Sequence, residues 1–321
     1  MKCLGMRKIY QDSIDLLRKS EKLALQYSDK GFYLAFSGGK DSQALYHIAK
    51  LAGVKFEAHM NFTSVDPPQV IRFVRQHYPD VICHAPEKSI FAYAVEKGIL
   101  PSMRVRWCCA VLKEMGGAGR VTLTGVRKAE SARRAKRKEV EVSNHKFEGD
   151  LNTFGDWQAV QIAKKMKNLN QDQFAETKES EIRCINGKDK IIINPILEWS
   201  EEDVWQFLNY VVKVPHCELY DMGYSRIGCI CCPMSGNRQK IRELKMFPHV
   251  KRNWLKAIKD IRSGGVLTKT NTCPVRGGGH PTAKVLWALE QESQHRNLGW
   301  IQHPDSSHWT GFRVASRIMT A

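Results

Sequence analysis

Long apolar runs are missing from this chain. Nowhere in its 321 residues is there a stretch of the roughly 18–20 apolar residues that a membrane-spanning helix needs, so no membrane association is expected. The first residues, MKCLGMRKIYQDS, lack the apolar centre of a secretion signal, which makes the cytoplasm the expected compartment. No internal repeat is visible, which sets aside an array of identical units. Acidic residues are few beside basic ones: 33 Asp and Glu against 50 Lys and Arg, a net charge of +17. Such an excess favours an anionic partner, either nucleic acid or a phosphate-rich substrate. The densest basic run is Arg127 to Lys138 (RKAESARRAKRK), a pattern that is most often a solvated helix face. Hydrophobic content of 42% and aromatic content of 9% are those of an ordinary globular chain with a real core. Ten cysteines in a cytoplasmic setting argue for thiol, metal or redox chemistry rather than a disulfide frame.

The most informative segment is Ser37-Gly38-Gly39-Lys40-Asp41-Ser42, which follows the apolar run Phe32–Phe36 and precedes a helix-like stretch from Gln43 to Leu51. A strand, a glycine turn and a helix start in that order make a phosphate cradle. Gly38 and Gly39 permit a tight turn that brings bare N–H groups against an anion. The helix points its positive end at the same spot. Ser37 and Ser42 add hydroxyls, Lys40 a cation, and Asp41 a candidate magnesium ligand. Only four residues separate Ser37 from Ser42, so this is not the GxxxxGK loop of kinases and GTPases. It resembles instead the PP-loop of the ATP pyrophosphatase and sulfonucleotide reductase superfamily. That loop holds a pyrophosphate, or its sulfate analogue, while the nucleotide is cleaved at its α-phosphate.

Around this loop, strand patterns at 32–36, 55–62, 80–84 and 121–125 alternate with helix patterns at 41–52, 67–77 and 88–98. The alternation predicts an α/β fold of βαβ units on a parallel, Rossmann-like sheet, with ligands at the carboxyl ends of the strands. The expected organisation is an N-terminal helix over 1–28 and a PP-loop domain over 29–235 with a polar insertion at 142–190. A helical, basic region over 236–302 and a tail over 303–321 follow. The insertion reads as one helix with flexible flanks, and Ser200 ahead of Glu201, Glu202 and Asp203 reads as a helix N-cap.

Cys108 and Cys109 are adjacent, while Cys229 and Cys232 form a C-x-x-C pair enclosing Cys231. Adjacent cysteines do not easily bridge each other. Two such pairs can meet at one centre, and four thiolates suit a tetrahedral zinc or an iron–sulfur cluster. The spacing alone leaves zinc, cluster and thiol redox open.

Taken together, these motifs resemble the phosphoadenosine phosphosulfate (PAPS) reductase family, an adenine nucleotide α-hydrolase-like group of PP-loop proteins. The likeness extends over about residues 30–235. It is carried by SGGKDS, by Thr63 to Pro68 with Asp66, by Cys108-Cys109 and by Gly125-Val126-Arg127 through Glu130-Ser131 to Arg133-Arg134. Asn194-Pro195, Trp199, the Glu-Glu-Asp-Val-Trp helix and YDMGYSRIGCICCP complete it. The resemblance implies a nucleotide site of Ser37, Gly38, Gly39, Lys40, Asp41, Ser42, Asp66, Arg127 and Arg134, with Lys40 and Asp41 the catalytic pair. It implies a 4Fe-4S cluster on Cys108, Cys109, Cys229 and Cys232, as in the adenylyl sulfate reductases, with zinc as the alternative. Arginines suit such a site because their fork of donors matches phosphate or sulfate oxygens.

One family feature is absent. The reductases carry a nucleophilic cysteine in a Glu-Cys-Gly-(Leu or Ile)-His motif; here the one cysteine after Cys232 is Cys273, in a different setting. The leading expectation is therefore an enzyme that cleaves ATP at the α-phosphate with Mg2+ and transfers sulfur, to DNA or RNA as acceptor. It would be supplied by a donor such as a cysteine desulfurase. The alternatives are adenylyl sulfate or PAPS reduction with thioredoxin through Cys231 or Cys273, and a non-catalytic nucleotide- or DNA-binding regulator. A homo-oligomer is expected from the family.

Overall fold

A computed structural model of the protein describes residues 7–143, 147–167, 185 and 189–263. The chain divides into two interleaved units. The first comprises Met1–Asn61, Pro68–His84 and Met115–Ile227; the second comprises Phe62–Pro67, Ala85–Glu114 and Gly228–Ala321.

The first unit carries the sheet. Its strands are β1 (Phe32–Ala35), β2 (Phe56–Asn61), β3 (Ile82–His84), β4 (Val121–Leu123), β5 (Val140–Val142), β6 (Phe147–Gly149) and β7 (Ile191–Ile193). They lie in the order β3-β2-β1-β4-β7-β5-β6. The five on the β3 side are parallel, with Leu34 opposite Ala58 and Leu123. The expected parallel α/β sheet is thus present, and β5 and β6 add an antiparallel edge that the sequence pattern did not predict. Phe32, Leu34, Val121, Leu123, Ile191 and Ile193 are all fully buried, as expected for strands covered on both faces.

Helix α1 (Lys8–Tyr27) buries Tyr10, Ile14, Leu17, Ala24 and Tyr27, a stripe at helical spacing. Its buried Ser13 and Ser20 hydroxyls donate to the carbonyls of Ile9 and Leu16 four residues back, so neither is orphaned. Helix α2 (Lys40–Ala52) ends at Gly53, whose φ of +72° provides the left-handed cap that stops a helix. Helix α3 (Pro68–His77) follows β2. Helices α4 (Ile90–Lys97) and α5 (Trp107–Leu112) belong to the second unit. Helix α6 (Leu151–Lys167) occupies part of the polar insertion. Helix α7 (Glu201–Gln206) begins with the expected N-cap: Ser200 and Asp203 exchange side-chain and backbone hydrogen bonds in a capping box, an arrangement worth about 1 kcal/mol.

In the second unit, α4, α5, α8 (Asn237–Met246) and α9 (Pro248–Ser263) enclose a core that contains Val65, Leu100, Cys108, Ile230, Leu244 and Trp254. The cysteine pair and the C-x-x-C loop therefore share a core with α8 and α9. Packing of Ile230 and Cys231 with Leu244, Val250 and Trp254 is the physical reason. Among the described residues no helix is long and apolar enough to cross a membrane. Cys273 and the expected tail lie outside the described residues.

Candidate functional site

Each unit brings together one set of the expected residues. In the first, the chain runs from β1 to β2 to β3 on one side and resumes with β4 on the other side of β1. That reversal makes the carboxyl ends of β1 and β4 the topological switch point, where open α/β sheets bind ligands. SGGKDS leaves β1 there, and Gly125-Val126-Arg127 leaves β4.

The loop is tightly organised. Gly38 has φ of +72°, and a Cβ on it would stand 2.8 Å from Val74 and 2.9 Å from Val70, so no other residue fits. The Ser37 backbone N–H donates to Ser42 Oγ at 3.2 Å, and the two serine hydroxyls lie 3.1 Å apart. Ser42 Oγ also donates to the Gly39 carbonyl at 2.8 Å. From the other strand, a Cβ on Gly125 would lie 3.0 Å from the Asp41 carbonyl oxygen, so a glycine lets the β4 turn approach the start of α2.

Arg127 closes the switch point. Its Nε lies 2.6 Å from Asp41 Oδ1 and its Nη1 3.3 Å from the Trp199 carbonyl, and its side chain is 3% exposed. Arg127 Nε thus holds the Asp41 carboxylate beside the loop. Arg134 pairs with Glu130, whose carboxylate accepts the Arg127 backbone N–H at 3.1 Å. Lys40 is also buried. Its ammonium donates to the Ser225 carbonyl at 2.9 Å and stands 3.6 Å from Glu201 and 3.9 Å from Asp41 Oδ2.

Tyr220 was not singled out from the sequence. Its phenol oxygen accepts the Lys40 backbone N–H at 2.8 Å, one of the amides a phosphate would use. Its ring packs edge-on against Trp205 at 5.0 Å, and burial raises its pKa, keeping the phenol neutral. Trp199, read as packing, is fully buried against Tyr10 and Phe207 and donates to Ser13 Oγ at 2.9 Å.

In the second unit the four expected cysteines influence one another. The Cys108 and Cys109 thiols are hydrogen-bonded, and Cys108 also feels Cys229 and Cys232. Within the adjacent pair Cys109 ionises first, lowered to about 5 by the Cys108 hydrogen bond and by Arg106, whose guanidinium donates to its sulfur at 3.2 Å; Cys108 is pushed up in turn. Burial pushes Cys229 up while Lys113 opposes it, and its thiol contacts Thr63 Oγ1 at 3.4 Å. Burial works against the Lys113 ammonium, while Asp66, and Cys229 whenever its thiol ionises, push its pKa up. Asp66, expected at the nucleotide, accepts from the Thr63 hydroxyl at 2.9 Å and lies in this cysteine unit.

Among the described residues no three Cys, His, Asp or Glu side chains converge to hold one metal ion. Cys231 is buried with φ of +60°, and burial pushes its thiol up to about 12. The Cys231 N–H donates to Glu243 Oε2 at 2.7 Å, and Lys240 Nζ donates to the Pro233 carbonyl at 3.3 Å, so α8 braces the loop from within the core. A cavity of about 630 Å³ among α1, the β5–β6 hairpin and Asn194–Trp199 contains none of the expected site residues.

An uncharacterised protein of Methanocaldococcus jannaschii is 25% identical over 264 residues, 79% of this chain and 54% of the relative. A second protein of that organism is 26% identical over 246 residues, 72% of this chain and 42% of the relative. The chain thus spans about half the length of the curated relatives it matches. The adenosine 5′-phosphosulfate reductase of Allochromatium vinosum is 41% identical over 58 residues, 18% of this chain and 22% of the reductase. Among solved structures, the phosphate complex of PAPS reductase from Candida auris aligns with a TM-score of 0.39 and 16% identity, over 71% of this chain and 96% of that one. FMN adenylyltransferase of Candida glabrata aligns with a TM-score of 0.40 and 13% identity, over 72% of this chain and 66% of that one. The phosphoadenosine phosphosulfate reductase domain model matches residues 31–235, and the chain belongs to that family.

Proposed function

We infer that the protein binds ATP with Mg2+ at the β1–β4 switch point and cleaves it at the α-phosphate in a sulfur-transfer reaction. The observation that carries this reading is the meeting of SGGKDS with Arg127 through Asp41. The loop amides and the amino end of α2 would take the pyrophosphate, which leaves when an acceptor oxygen attacks the α-phosphorus and becomes adenylylated. A sulfur nucleophile then displaces AMP. Arg127 fixes Asp41 by one oxygen and leaves Oδ2, 3.9 Å from Lys40, as the oxygen for magnesium. Lys40 would neutralise charge on the leaving group. Such catalysis is positioning and charge stabilisation rather than proton transfer.

The four thiols, with Arg106 and Lys113 beside them, suit an anionic 4Fe-4S cluster, in which each iron takes one thiolate, with a four-thiolate zinc as the alternative. Cys108, Cys109, Cys229 and Cys232 would hold it, and when bound it would supply redox or sulfide-handling chemistry.

Anaerobic protein given Mg-ATP with DNA or tRNA should release AMP and pyrophosphate, and Asp41→Ala should abolish the release. No pyrophosphate under any of these conditions sinks the reading. The 58-residue likeness to an adenosine 5′-phosphosulfate reductase supports a second reading, reduction of adenylyl sulfate to sulfite. Sulfite release with thioredoxin as reductant distinguishes it.

A further inference from the structure

Helices α8 and α9 carry charge of one sign toward solvent. Arg238, Arg242 and Lys245 on α8, and Arg252, Lys256 and Lys259 on α9, are all exposed. Each trio is spaced i, i+4, i+7 and so forms one stripe along its helix. The opposite sides are buried: Lys240, Glu243 and Leu244 on α8, and Val250, Trp254, Ala257 and Ile258 on α9. The two helices hold two carboxylates, Glu243, which is buried, and Asp260, which is half-buried.

A solvated helix face ordinarily mixes both signs, since like charges at i, i+4 destabilise a helix. On α9, three exposed cations with no exposed acid beside them work against the helix that carries them. A polyanion would turn that repulsion into binding.

We propose that the solvent side of α8 and α9 docks the phosphate backbone of a nucleic acid. The α9 stripe runs seven residues, roughly 10 Å at 1.5 Å per residue, the axial run of about three phosphates of one strand. An anionic membrane fits less well, because the apolar side of α9 is already packed, with Trp254 against Phe91 at 4.8 Å. A protein partner would need an apolar centre to its interface. Among the described residues, no exposed large hydrophobic lies on either helix. Binding stands on this surface alone; that the bound nucleic acid is the sulfur acceptor rests on the reading of the site given above.

The test is fluorescence anisotropy of the full chain with a labelled 30-base single strand, a 30-base-pair duplex and a tRNA, each over a salt series. Vesicles of phosphatidylcholine and phosphatidylserine serve as the competing surface. Binding should weaken linearly in log–log salt plots. Changing Arg252, Lys256 and Lys259 together to Gln should cost at least tenfold in affinity and flatten the slope by about 2–3, at 0.7–0.9 per phosphate contact. Arg238, Arg242 and Lys245 changed to Gln should behave alike, whereas the charge-keeping set R252K, K256R and K259R should bind normally. Circular dichroism of each variant monitors the fold, and the charge-keeping set controls for packing. Unchanged affinity and slope in both Gln sets, or vesicles bound as tightly as nucleic acid, overturns the proposal. Pyrophosphate release is measured in the same preparations. Slope-sensitive nucleic-acid binding without any release keeps this proposal and rejects the enzymatic reading.

Discussion

Arg127 Nε lies 2.6 Å from Asp41 Oδ1 across the gap between the turns after β4 and β1, although the two residues are 86 positions apart in the chain. The pair explains why a family arginine stands beside a phosphate loop and yet points away from solvent. Its Nε holds the carboxylate in place.

Removing Arg127 leaves Asp41 largely enclosed with Lys40, 3.9 Å away, as its remaining cation. Arg127→Met should destabilise the protein by about 3 kcal/mol, as when one partner of a buried pair is lost. Nucleotide cleavage should fall more steeply than folding allows. Urea denaturation and AMP release, measured on the same variant, separate the two effects.

Tyr220 occupies the Lys40 amide that an anion would take. Tyr220→Phe frees that N–H, so pyrophosphate should bind about 2- to 10-fold tighter, the worth of one ordinary hydrogen bond near 1 kcal/mol. Calorimetric titration checks this, and weaker binding would mean that the phenol assists the ligand instead.

Glu243 accepts the Cys231 N–H inside the core. Glu243→Ala strands that donor and should cost about 1–3 kcal/mol. The rates at which Cys229 and Cys232 react with iodoacetamide should rise as the loop loosens, with Glu243→Gln intermediate.

His47 is held neutral. Burial first, and then Lys50, lower its pKa to about 4. An unfolded histidine titrates near 6.5, so between about 6.5 and 4 the unfolded chain binds a proton that the folded chain refuses. Stability should therefore decline as pH falls through that window and be indifferent to His47 above it. His47→Gln should flatten this part of the urea-midpoint profile while leaving the carboxylate contribution.

Much of the first unit could be read in advance because its signals are local. The apolar runs at β1, β2 and β4 and the glycines of SGGKDS act within a few residues of themselves. Ser200 announces α7 in the same way. The antiparallel edge could not be read: β5 and β6 are three residues each, and β5 (Val140, Glu141, Val142) follows a basic run that hides its alternation. Tyr220 was equally silent, because its contact with Lys40 spans 180 residues and leaves no periodic trace. The surroundings of Asp66 were not legible either: of its neighbours Thr63, Lys113 and Cys229, two are far from it in the chain.

The interleaving of the two units has a consequence for how the protein is made. The chain passes from one unit to the other after residues 61, 67, 84, 114 and 227. Val65, Leu100 and Cys108 emerge from the ribosome long before Trp254, with which they share a core. Those early segments must wait, apolar side chains uncovered, while most of the sheet unit is synthesised. Neither unit can be cut out as a continuous fragment, and a nascent chain halted before α9 would be a natural client for chaperones.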